Sequence, residues 1–92
     1  MYWLSFCDGD LPKGQQFLGV AIVRGSNLEE AVSEAWRLGI NPGGEVLSME
    51  ILVKNYSKIP IECIDKLLSL EEVKKYFSDF DLKRGGYLGG DL

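Results

Sequence analysis

The chain has 92 residues, of which 46% are hydrophobic and 26% charged, and this fits one compact domain because a second core needs roughly a hundred residues more. Fourteen acidic against ten basic side chains leave a net charge of -4, which repels a polyanion and argues against general nucleic-acid binding. The absence of histidine removes the commonest metal ligand, the usual general base and every Ser-His or Cys-His pair, so no enzyme is expected, and neither a metal site nor a cofactor.

Residues 2 to 7, rich in aromatic and β-favouring side chains, read as a first strand. No basic start or small-residue cleavage site marks a signal peptide there, and no apolar run approaches the roughly twenty residues of a membrane helix. A soluble protein of the cytoplasm is expected, with no membrane partner and with Cys7 and Cys63 as unbonded thiols. Residues 8 to 15, dense in turn formers, form a loop.

A second strand is expected over 16 to 24, with Phe17, Ala21 and Val23 on one face and Leu18, Val20 and Ile22 on the other. Both faces are apolar, which calls for a helix on one side and a second helix or another subunit on the other; a homodimer follows as the expected assembly. Asn27 with Glu30 marks a helix start, with Ser26 and Glu29 as a shifted alternative, and Leu28, Ala31, Val32, Ala35 and Trp36 give a core-facing stripe over 28 to 38. Gly39 closes that helix.

Asn41-Pro42-Gly43-Gly44 turns the chain into a third strand over 45 to 54. Pro60 suggests a short helix reaching Leu68, and Ser69 with Glu72 caps another to about Phe77. The expectation is an α+β domain over 1–82: a single-layer ββαβ sheet of order 2-1-3 packed by helix 28–38, then two short helices. Residues 83–92 read as a flexible Gly-rich tail.

This topology brings the 8–15 loop and the Asn41 to Gly44 turn to the same end of the sheet. Asp8, Asp10, Lys13 and Gln15 there face Asn41 and the amides of Gly43 and Gly44, a candidate binding rim for an anion or a base edge; Trp3 is a core or interface residue or, alternatively, a stacking ring for the ligand. Chain reversal alone also explains Asn-Pro-Gly-Gly, and the partial negative charge of a helix C-terminus disfavours phosphate at this end. The alternative anion site is the opposite end, where Arg24, Ser26 and Asn27 meet the helix N-terminus; plain capping explains the same residues.

The segments Gly14-Gln15-Gln16-Phe17-Leu18-Gly19-Val20-Ala21-Ile22-Val23 and Ala35-Trp36-Arg37-Leu38-Gly39-Ile40-Asn41-Pro42-Gly43-Gly44-Glu45-Val46 resemble short, uncharacterised proteins encoded by bacteria and their phages. By class-level analogy the resemblance implies a phage anti-defence protein that sequesters a cyclic nucleotide or an ADP-ribose derivative without catalysis, in the host cytoplasm. No functional residue is carried over from it. The expected function is therefore a non-catalytic protein for a small nucleotide-like ligand. The alternative is a protein-binding inhibitor or adaptor that masks a partner enzyme, and an enzyme using Cys7 beside Asp8 lacks an activating base.

Overall fold

The computed structural model describes residues 1–77, so the end of the expected domain at 82 and the expected tail over 83–92 lie outside the described residues. The elements are β1 (Tyr2–Cys7), β2 (Phe17–Val23), α1 (Leu28–Arg37), β3 (Glu45–Glu50), 3₁₀ segments at Val53–Lys58 and Ile61–Cys63, β4 (Leu67–Leu68) and α2 (Leu70–Phe77). Mixed helix and strand content around one antiparallel sheet makes this an α+β fold.

The sheet has four strands in the order β3-β1-β2-β4, which corrects the expected three-stranded sheet. The additional strand occupies sequence expected to be helical. Pro60 instead precedes a single 3₁₀ turn, Asp65 takes a left-handed φ of 64°, and Leu67 and Leu68 pair with Ala21 and Val20. The physical reason lies in the two leucines: Leu68 joins the core on one face of the sheet and Leu67 the core on the other. Adjacent side chains serve opposite faces on a strand but not on a helix.

Each face carries its own core. On one, Leu4, Phe6, Ala21 and Val23 pack against Ala31 and Ala35 of α1. On the other, Trp3, Val20 and Ile22 pack against Ile51, Ile59, Cys63, Leu68, and Val73 and Phe77 of α2. Both faces of β2 are thus covered within the chain, and the expectation of a second subunit over one of them loses this ground.

The faces of Phe17 and Leu18 are exchanged relative to the expected alternation. Phe6 pairs with Gly19 but Cys7 with Phe17, so β2 holds one extra residue at this point. Gly19 absorbs the bulge at φ 137°. Phe17 accordingly packs with Val20 and Ile22, and Leu18 with Ala21 and Val23.

Helix α1 starts as expected from its cap: the Asn27 side chain accepts from the Glu30 N–H at 2.9 Å, and the Glu30 carboxylate accepts from the Ser26 N–H at 2.9 Å. Its stripe is narrower than expected. Ala31 and Ala35 are buried, whereas Trp36 is 59% exposed and leaves the expected core. The same capping pattern opens α2, where Ser69 and Glu72 exchange bonds of 3.1 and 3.2 Å. Strand β3 ends at Glu50, short of the expected Lys54, and the chain turns into the first 3₁₀ segment with Val53 exposed. No helix among the described residues is long and apolar enough to cross a membrane.

Candidate functional site

Cys7, the last residue of β1, pairs with Phe17 at the start of β2 and with Glu45 at the start of β3. The loop from Asp8 and the turn ending at Gly44 therefore leave the sheet at one end. Contact between the two connections is close. A Cβ on Gly44 would overlap the Cys7 carbonyl oxygen and come within 3.2 Å of Leu18 Cδ1, and the residue holds φ at 75°. Only glycine fits a left-handed position pressed on another backbone in this way.

The 8–15 loop is held by its own groups. Asp8 N–H donates to the Gln16 carbonyl at 2.8 Å, Gln15 N–H to the Pro12 carbonyl at 2.9 Å and Leu11 N–H to the Asp8 carbonyl at 3.2 Å. The Asp8 carboxylate accepts from the Asp10 N–H at 2.9 Å. The Gln16 amide, a residue missed in the sequence reading, crosses the loop and donates to the carbonyls of Leu11 at 3.1 Å and Gly9 at 3.4 Å. A glutamine heading an apolar strand, where its side chain has no apolar work to do, was the available signal.

In the facing turn, the Asn41 side chain accepts from the Gly43 N–H at 2.8 Å. The Gly43 amide is thus occupied, which corrects the expectation that it stands open to an anion. Left over on the rim are the side chains of Asp10, Lys13 and Gln15, all exposed. Neither Asp10 nor Lys13 has an ion-pair partner among the described residues. Trp3 does not join them: it is fully buried, its ring edge-on to Phe77, so of its two readings the core role holds and the stacking role is corrected.

At the opposite end, the amides of Ser26 and Glu30 are taken by the Glu30 and Asn27 side chains, so a carboxylate already occupies the position an anion would take. Arg24 lies 3.7 Å from Asp65, and Arg37 makes a two-pronged bond to Glu34 at 2.6 and 2.7 Å. The Arg37 bond holds the Glu34 carboxyl below its ordinary range and raises the guanidinium. A groove of about 580 Å³ lies beside these residues, but its walls carry Glu29, Glu30 and Glu34 against Arg24 and Arg37. The arginines are engaged and the walls are net acidic, which is poor chemistry for a phosphate.

No group of three His, Cys, Asp or Glu side chains among the described residues is arranged to hold a metal ion. Comparison of the chain with protein-family models, with curated proteins and with solved structures finds no match.

Proposed function

We propose that this chain is a non-catalytic binding protein that holds a small nucleotide-like ligand on the rim formed by the 8–15 loop and the Asn41 to Gly44 turn. The observation that carries the reading is the division of labour among the rim's polar groups. Gln16, Asn41 and Asp8 spend their side chains on fixing the loop backbones, while Lys13, Asp10 and Gln15 stay exposed on that fixed frame. Rigid loops that present uncommitted polar side chains lower the ordering cost of binding. The Lys13 ammonium suits a phosphate, and the Asp10 carboxylate and Gln15 amide suit ribose hydroxyls and a base edge. With the resemblance to phage-encoded proteins, this reading extends to sequestration of a cyclic nucleotide or an ADP-ribose-derived signal.

The test is mass spectrometry of small molecules released on heating the purified protein, followed by thermal shift with cyclic nucleotides and ADP-ribose. A recovered nucleotide, or a melting rise that Lys13→Ala removes without changing the ligand-free melting temperature, is the expected result. No released nucleotide and no shift with any compound would overturn the proposal.

A further inference from the structure

We infer that the lane beside α1, over β3, is a docking surface for a basic amphipathic helix of a partner protein, with Trp36 as its anchor. The inference is independent of the rim. Leu28, Val32 and Trp36 follow one another at four-residue steps, and each step turns the row further from the buried Ala31 and Ala35. Leu28 is 39% exposed and Trp36 59%. The other flank of α1 carries Glu34 and Arg37, which line one groove with Arg24, the residue that follows β2 and lies 3.7 Å from Asp65. Trp36 therefore lies on the flank toward β1 and β3.

On the sheet beneath, Val46 pairs with Phe6, and Phe6 belongs to the core under α1, so Val46 faces the same side as the helix. It is 37% exposed. The packing geometry explains why: strands lie about 4.8 Å apart and a helix is about 10 Å across, so one helix covers roughly two strands. Helix α1 packs on β2 and β1. A second helix laid against it would cover Val32, Trp36 and Val46 together.

Charge selects the occupant. Glu29, one heptad before Trp36, stands on the crest of α1 between this lane and the groove beside Arg24, and Glu50, paired with Tyr2, stands on the α1 side of β3. The nearest cation on α1, Arg37, is engaged by Glu34. A helix with an apolar stripe flanked by lysines complements both the exposed apolar row and these carboxylates. Tryptophan is among the residues that most often anchor an interface.

The experiment uses the full chain and two synthetic amphipathic helices with the same apolar pattern, one of leucine and lysine, the other of leucine and glutamate. Trp36 reports directly, because Trp3 is already buried and its emission has little to gain. The expected result is a blue shift on adding the leucine-lysine helix and none with the leucine-glutamate helix. Trp36→Ala, followed by calorimetry, should weaken binding about thirtyfold with far-UV circular dichroism unchanged. Glu29→Lys should weaken it severalfold and flatten its salt dependence. Absence of the shift, equal binding of both helices, or Trp36→Ala binding within about twofold of the parent would each overturn the proposal. So would a blue shift that follows protein concentration without peptide, since it would make a second copy the occupant.

Discussion

The Trp3 and Phe77 rings meet edge to face, their centroids 5.2 Å apart and their planes at 84°. This contact ties the central strand β1 to the last turn of α2, and both side chains are essentially without solvent exposure. Phe77→Ala should cost about 3–5 kcal/mol, since it removes a large buried ring from a packed core. Urea denaturation followed by far-UV circular dichroism measures it. A loss below about 1 kcal/mol would mean that α2 adds little to the core.

Two neighbouring glycines with similar backbone angles should respond differently to alanine. Gly43, at φ 86°, has open space where a Cβ would stand, so Gly43→Ala carries only the left-handed penalty of about 1–2 kcal/mol. Gly44→Ala adds an overlap with the Cys7 carbonyl and should cost above about 3 kcal/mol. Urea midpoints of the two variants decide it, and equal losses would refute the close approach of the two connections.

The two thiols should separate by accessibility. Cys7 is half-buried, and Cys63 is buried and unbonded, with its thiol pushed up from the ordinary 9.0, chiefly by burial. Reaction with a thiol reagent at pH 8 should show Cys7 modified first and Cys63 only on unfolding. Two thiols per chain should appear in denaturant without reductant, and finding none there would establish a disulfide instead.

Two half-buried carboxyls should shape the acid limb of stability. Glu72 is held below the ordinary 4.5, first by the Ser69 N–H and then by Lys66, and Glu34 is held below it by Arg37. A lowered folded pKa contributes stability that is present above the unfolded value and lost as pH falls through the folded one. The window therefore opens near pH 4.5 and extends downward. Melting temperatures from pH 6 to pH 2.5 should fall less steeply for a Glu34→Gln, Glu72→Gln double variant than for the parent. Parallel curves would show that neither pair survives in solution.

Local signals were the legible ones. The Asn27 cap, the Ser69 and Glu72 box and the turn formers from Asp8 to Gln15 each follow from short-range chemistry, and the convergence of the two rim connections follows from strand direction alone. What the sequence hid depends on distant partners. The bulge at Gly19 exchanges the faces of Phe17 and Leu18 only because Cys7 pairs with Phe17. Leu67 and Leu68 form a strand because Ala21 and Val20 offer an edge to them. Trp36 shares its periodicity with core residues, yet the helix covers too few strands to bury it. At the rim, the residue types were readable, but the bonds of Gln16 and Asn41 that decide which groups stay open were not.

The sheet order β3-β1-β2-β4 has a kinetic consequence. Strand β1 precedes the other strands in the chain, yet it sits inside the sheet, and its far neighbour pairs Tyr2 with Glu50. A hairpin of β1 and β2 alone would leave one edge of β1 unsatisfied and both apolar faces wet, so it gains little before α1 and β3 arrive. Closing a loop that long carries an entropy cost ahead of any contact it brings. With β4 and α2 following β3 in the chain and covering the second face, the nascent chain should stay protease-sensitive until α2 has cleared the exit tunnel, and then acquire its sheet and both cores in one cooperative step.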